Sequence, residues 1–240
     1  MVLGDFNNLD LRLLFDLNSM ISHSSLGSRI LNFIGGNPLF RGIPVFFPMM
    51  VLWFSSECKK RRSRMLVGLL ATCAATVLSV WLQGHMVTHV RPFLDARLHL
   101  NGIDPIWTMN WDRVDSFPSD TSTLFFCLAT VIYLEHRMAG GIAFVWTLVI
   151  VSATRVAMGW HYPSDIAGAL VLGTASVYFP TRIRPLLAFA ERQLQRCDPY
   201  IYIVHAVLFL FLADAYTLFA GLQGFYHGFR IIGARLAGLI

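Results

Sequence analysis

The chain has 240 residues, 55% of them hydrophobic and 14% charged, with a mean hydropathy of +0.57. A soluble globular domain carries about a quarter charged residues, and here the apolar residues come in long uncharged runs, which excludes an ordinary soluble core. The net charge of +5 and pI near 9.3 do not point to nucleic acid, because the cations cluster between the apolar runs.

Those cations fall in three places. The run Cys58-Lys59-Lys60-Arg61-Arg62-Ser63-Arg64 is the densest, Arg182, Arg184, Arg192 and Arg196 form a second group, and His136-Arg137 is a small third. Short basic loops beside membrane spans mark the cytoplasmic side. The four cysteines do not make a disulfide framework: Cys73 and Cys127 fall inside apolar runs, Cys58 and Cys197 beside the basic loops, and all read as small hydrophobes. Met1 to Asn8 lack the basic-then-apolar pattern of a cleaved signal peptide, which leaves the first span as the targeting signal.

In chain order, residues from about Leu9 to Phe33 alternate at helical spacing, with Leu11, Leu14, Phe15, Leu17 and Ile21 on a face that excludes Asp10, Arg12 and Asp16. The stretch is too polar to span and suits a helix lying in the membrane interface or packed on the bundle. A first span is expected from about Phe40 to Ser55, kinked near Pro44 and Pro48. A second covers Met65 to Gln83, a third Ser119 to Glu135, a fourth Gly140 to Ala157, a fifth Ser164 to Phe179 and a sixth Tyr200 to Leu222. Between the second and third lies a polar excursion, Gly84 to Phe117, holding Arg91, Asp95, Arg97, Asp104, Asp112, Arg113 and Asp115, with Trp107 and Trp111 suited to interfacial anchoring. His205 and Asp214, inside the sixth span, read as interhelical hydrogen-bonding groups. The loops after the first, third and fifth spans carry the Lys/Arg bias and are expected inside. The excursion, the Gly159–Pro163 loop and the N-terminal helix are then expected outside. No linker or repeat divides the chain, which reads as one membrane-embedded domain over 1–240.

Three outward segments carry reactive side chains: His89-Val90-Arg91-Pro92-Phe93; Ser116-Phe117-Pro118-Ser119-Asp120-Thr121; and Thr154-Arg155 followed at fixed spacing by His161 and Asp165. Each lies at the outer end of a span, so they can converge. Tyr162-Pro163-Ser164-Asp165 is a helix start. A carboxylate four residues after a histidine can accept its ring N–H, fix the tautomer and leave the other nitrogen as a nucleophile. Arg155 can offer a planar fork of donors to phosphate oxygens. Singly, His161 or Arg155 would read as an interfacial anchor. The combination Arg-x5-His-x3-Asp between two spans is far more specific. Phe117-Pro118-Ser119-Asp120 repeats the device, so two helix N-termini are expected to open on one face as a cradle for phosphate, with Ser119 and Ser164 as caps and the Ser119 end also touching phosphate.

In order, spacing and membrane placement, residues from about Gly84 to Gly168 resemble the type 2 phosphatidic acid phosphatase superfamily, whose pattern is Lys-x6-Arg-Pro, then Pro-Ser-Gly-His, then Ser-Arg-x5-His-x3-Asp. The Phe-Pro-Ser-Asp form of the second motif is similar to the bacterial undecaprenyl pyrophosphate phosphatase branch. The resemblance implies an all-α integral membrane bundle. It implies that His161 is a nucleophile forming a phosphohistidine, that Asp165 orients it, and that Arg91, Arg155 and Ser119 bind phosphate. No cofactor or metal is implied.

Three departures stand out. Gly84 replaces the motif-one lysine, a cation that His85 or His89 could partly replace; Thr154 replaces the usual serine; and Thr121 replaces the histidine that protonates the leaving oxygen. General acid catalysis contributes about 10²–10⁴-fold. Its loss weighs heavily on a monoester, whose alkoxide leaving group has a conjugate-acid pKa of roughly 16. It weighs lightly on a pyrophosphate, whose leaving phosphate monoester has a second pKa of about 6. Thr121 therefore favours a pyrophosphate substrate, with Asp120 a surrogate acid if its pKa is raised. The expected function is a phosphatase acting on undecaprenyl pyrophosphate or a related lipid phosphate, at the outer face of a bacterial inner membrane. The alternatives are a lipid phosphotransferase and a catalytically impaired lipid-phosphate binder.

Overall fold

The computed structural model describes residues 8–22, 25–55, 59–85, 90–100 and 115–216. Cys58, His89, Asp104, Trp107, Trp111, Asp112 and Arg113, and the end of the expected sixth span, lie outside the described residues. The helices are α1 (Asn8–Ser22), α2 (Ser25–Gly36), α3 (Pro38–Phe54), α4 (Lys59–His85), α5 (Asp120–Glu135), α6 (Arg137–Ala157), α7 (Pro163–Tyr178), α8 (Arg184–Arg196) and α9 (Ile201–Tyr216). Among the described residues no strand forms beyond an isolated bridge between Val90 and Asp115.

The helix starts follow local chemistry. Asn37 caps α3, its side-chain oxygen accepting the Phe40 N–H at 3.2 Å ahead of Pro38 in the first turn. The basic run does not delimit α4 but forms its first turns, because Lys and Arg are good helix formers. His136 ends α5 and caps α6, its Nδ1 accepting the Ala139 N–H at 3.2 Å. Within α6, residues Thr147–Ser152 make one wide π turn, closed by the Ala153 N–H on the Leu148 carbonyl.

The chain forms two compact units, one ending at Gln193 and a second beginning at Leu194. In the first unit α5 is the central element, packed on α4, α6 and α7. Every residue from Thr121 to Ile132 is buried, as expected of a helix apolar all round. Gly173 permits the closest approach of α5 and α7: a Cβ there would stand 2.9 Å from the Thr123 carbonyl oxygen. The outward faces stay apolar, with Leu70, Val77, Ile142, Val145 and Val171 all at least 60% exposed. Such a belt belongs against lipid.

The chain is thus an all-α membrane protein, and among the described residues two to three spans are supported by length and composition. Lys60–His85 and Arg137–Ala157 are long and apolar enough to cross a bilayer, and Pro163–Arg182 with Arg184–Arg196, bent by 77°, makes a third if taken as one. The buried α5 has 16 residues, and at about 1.5 Å each it falls short of the roughly 30 Å hydrocarbon core.

The N-terminal stretch is two helices. Its inward stripe is Asp10, Leu14 and Asn18, each under 8% exposed, whereas Phe15 is 41% exposed. Asp10 lies off the apolar face read from the sequence. It turns inward because a backbone N–H awaits it: its Oδ1 accepts from Ser164 N at 2.9 Å. Asn18 Nδ2 donates to the Ala157 carbonyl at 3.0 Å.

At the other end of α5, the Glu135 carboxylate is 1% exposed and meets Arg61 at 3.2 Å and Arg64 Nη2 at 2.9 Å. Glu135→Ala is expected to lower stability by about 1–2 kcal/mol, the cost moderated by the partial exposure of both arginines. Thermal unfolding in detergent measures it.

Candidate active site

The third segment is built by the end of α6. Gly159 has φ +68°, the left-handed conformation that ends a helix; the Trp160 N–H closes on the Arg155 carbonyl at 2.9 Å, and Gly159 N–H on Val156 O at 2.9 Å. A side chain at Gly159 would also strike Leu100 Cδ1 at 2.6 Å. This turn brings Trp160 and His161 back over Arg155, whose guanidinium lies 5.2 Å from the Trp160 ring centroid.

The other two segments are stitched to it through the backbone. Phe93 N–H donates to Gly159 O at 2.9 Å, and Ser119 N–H to Asp165 O at 3.3 Å. Arg91 Nη1 donates to the Trp160 carbonyl at 3.0 Å and stands 3.3 Å from His161 Nε2.

His161 is fully buried, and its two nitrogens have different surroundings. Nδ1 lies 3.0 Å from the Ser116 carbonyl oxygen and 3.4 Å from Asp165 Oδ2. Both neighbours accept only, which assigns the proton to Nδ1 and the lone pair to Nε2. Asp165 Oδ2 also accepts from Tyr162 N at 2.8 Å. The main-chain oxygen of Ser116 is thus the nearer acceptor, a partner that no side-chain pattern could reveal.

Burial, and secondarily the Arg91 charge, pull the His161 pKa below its ordinary value, while the carboxylates of Asp165 and Asp120 oppose them. The ring is therefore neutral at pH 7. A folded-state pKa below the unfolded one means that the unfolded chain binds more protons as pH falls, so stability is expected to drop below about pH 6.5. An NMR titration of the ring is expected to give a midpoint under that value; a midpoint above it contradicts the burial argument.

Ser119 caps α5, with its Oγ accepting from Ser122 N at 3.4 Å and donating to Ser122 Oγ at 3.1 Å; Ser152 Oγ in the π turn reaches Ser122 Oγ at 3.0 Å. These hydroxyls link the start of α5 to α6. Thr121 is buried, with its N–H on Asp120 Oδ1 at 2.7 Å and its Oγ1 at 3.3 Å from the same oxygen. Arg155 is 4% exposed, and its Nε has no hydrogen-bond partner among the described residues.

Arg91, His161, Asp165 and Ser119 are therefore joined by direct contacts, Asp120 and Thr121 sit together at the same helix end, and Arg155 packs beside Trp160. His85 is exposed on the last turn of α4, with its ring stacked on Trp81 at 5.0 Å and Nδ1 2.9 Å from the Trp81 carbonyl. Ser119 caps α5 as expected, but at α7 the N-cap is Tyr162 rather than Ser164, because Pro163 opens the helix; there Asp10 and Asp165 take up the Ser164 N–H and Tyr162 N–H. Sequence reasoning also missed Gln83, whose buried Nε2 donates to the Pro118 carbonyl at 2.6 Å. A glutamine ending an apolar helix was its only signal.

A buried neutral imidazole with its lone pair beside a guanidinium is arranged to attack an anionic centre. Among known proteins, the PAP2 superfamily matches residues 63–188, which hold all three segments. The chain belongs to the PAP2 superfamily. Among PAP2-related sequences, it is similar to "Putative undecaprenyl-diphosphatase YbjG" of Escherichia coli (strain K12), 29% identical over 124 residues, or 52% of this chain and 58% of that protein. It is also similar to "Bacitracin transport permease protein BcrC" of Bacillus licheniformis, 28% identical over 145 residues, or 60% of this chain and 68% of the relative. The chain therefore matches somewhat more than half of the first relative's length. No solved structure matches.

Proposed function

We propose that the chain removes the terminal phosphate of undecaprenyl pyrophosphate or a closely related lipid diphosphate. The observation that carries this reading is the polarised imidazole of His161, its Nδ1 held by Ser116 O and its Nε2 3.3 Å from Arg91. Nε2 attacks the terminal phosphorus, the bridging P–O bond breaks, and the lipid monophosphate departs with the electron pair. Water then cleaves the P–N bond, releasing phosphate and restoring the ring. Arg91 and Arg155 carry the charge that develops on the transferring group. Ser119 and Asp120 lie at the helix end facing it, and Asp165 holds the segment bearing His161.

The leaving-group argument selects a diphosphate, since Thr121 offers no acid and a phosphate monoester leaves without a proton. The active site is placed at the outer face of a bacterial inner membrane. Supporting this, the Arg61–Arg64–Glu135 cluster sits at the start of α4 and end of α5, whereas the site lies at the start of α5 and end of α6. The lipid tail enters between helices from the bilayer, and residues 84–168 form the core of the proposed single domain.

The test is phosphate release from undecaprenyl pyrophosphate in detergent, comparing the chain with His161→Ala. Release is expected to fall to the uncatalysed level in the variant, and equal rates overturn the proposal. With labelled diphosphate, free phosphate marks a hydrolase, label on an added lipid or sugar acceptor marks a transferase, and binding without turnover in both proteins marks a binder.

A further inference from the structure

The segment bearing His161 is short and irregular, and its two ends are polar backbone groups that the neighbouring helices leave open. The Ala157 carbonyl closes α6, and the Ser164 N–H belongs to the first turn of α7, where no intrahelical acceptor exists. Buried groups of this kind must find partners. Both find them on one distant helix, since Asn18 Nδ2 donates to Ala157 O at 3.0 Å and Asp10 Oδ1 accepts from Ser164 N at 2.9 Å. Asp10 and Asn18 are two turns apart on one face of α1, with exposures of 7% and 4%. Between them Leu14, fully buried, packs in a cluster with Phe126, Val156, Tyr162, Ile166 and Ala169.

We propose that α1 is a clamp, with Asp10 and Asn18 acting as positioning residues that hold residues 157–164 by both ends and so fix the His161 ring. The inference rests on the function proposed above for His161 and extends it to the N-terminal helix. Asp10 also has a chemical effect on Asp165. Oδ2 of Asp165 already accepts from Tyr162 N at 2.8 Å and faces His161 Nδ1 at 3.4 Å. Without Asp10, the open Ser164 N–H would compete for that carboxylate and draw it from the imidazole. The clamp therefore keeps Asp165 at its post, and the ring plane with it. Apolar burial of Leu14 alone would hold α1 on the bundle but would not set the register of the segment. The two polar contacts do.

The experiment uses Asp10→Ala, Asp10→Asn, Asn18→Ala and the double alanine variant of the full chain in detergent, read two ways. In steady state with undecaprenyl pyrophosphate, Asp10→Ala is expected to lower kcat about tenfold with KM within about twofold, since misplacing a reacting group by a fraction of an ångström costs rate rather than affinity. Asp10→Asn keeps an acceptor oxygen for Ser164 N–H and is expected to recover kcat to within about threefold of the parent. An asparagine variant as slow as the alanine variant overturns the clamp. In hydrogen exchange, amides of residues 158–165 are expected to exchange about tenfold faster in the double variant, with α4 and the body of α5 unchanged. Unchanged exchange across 158–165 overturns the clamp, as does acceleration spread over the whole chain, which would mark general destabilisation. If Asp10→Ala does not fold, Asn18→Ala and Asp10→Asn carry both readings. A parent chain that releases no phosphate defeats the proposed function, and the exchange result still decides the clamp.

Discussion

Thr121→His is expected to raise phosphate release from a lipid monophosphate by about 10²–10⁴-fold while changing release from a lipid pyrophosphate far less. The asymmetry comes from the leaving group. An alkoxide needs a proton as it departs, whereas a phosphate monoester with a second pKa of about 6 does not. Thr121 opens α5 one residue after Asp120, so an imidazole there would stand at the helix end facing the proposed transferring phosphate. The position is 2% exposed, and the larger ring is expected to lower stability by about 1–3 kcal/mol through overpacking. Initial rates on the two substrates, taken as a ratio, separate the effects, since loss of folded protein lowers both alike. No rise on the monophosphate would mean that the pocket already supplies its proton, with Asp120 the nearest source.

Arg155→Met is expected to reduce turnover by about 10²–10³-fold, the cost of removing one donor aimed at developing charge, and yet to leave the fold as stable or more so. A guanidinium buried to 4% exposure, with Nε unmatched among the described residues, is costly to keep out of water. Replacing such a charge with an apolar chain of similar length is commonly neutral or stabilising. Melting with and without inorganic phosphate or pyrophosphate checks the reason for its retention. A ligand that engages the site raises the parent's midpoint with the logarithm of its concentration above Kd, and the methionine variant should lose most of that rise. A variant that unfolds earlier than its parent without ligand would contradict this account.

Much of the architecture was legible because its signals are local. Expected starts of helices at Ser119, Gly140 and Ser164 fall within a few residues of the observed ones, set by Ser119 as cap, by His136 and by Pro163. The meeting of Arg91 with His161 followed from motif order and from segments ending on one face. Partners made by main-chain atoms were not legible. The Ser116 oxygen on His161 and the Ser164 and Ala157 groups on α1 depend on where the backbone runs in space. Asp10 and Asn18 carry one sequence signal, their eight-residue spacing around Leu14, which places all three on one helix face. Apolar runs do not by themselves fix a span count, since a helix such as α5, buried among its neighbours, is apolar at 16 residues.

The wide turn at Thr147–Ser152 holds one residue more than regular winding would need. Each residue of an α-helix advances the azimuth by about 100°, so winding all of these residues regularly, with none removed, would swing Arg155 by roughly that angle relative to the start of α6. The guanidinium would then leave the Trp160 ring it packs beside, although no reactive side chain had been altered. In this protein a change of winding, deep in an apolar stretch that composition alone would score as featureless, would displace the arginine as surely as a substitution.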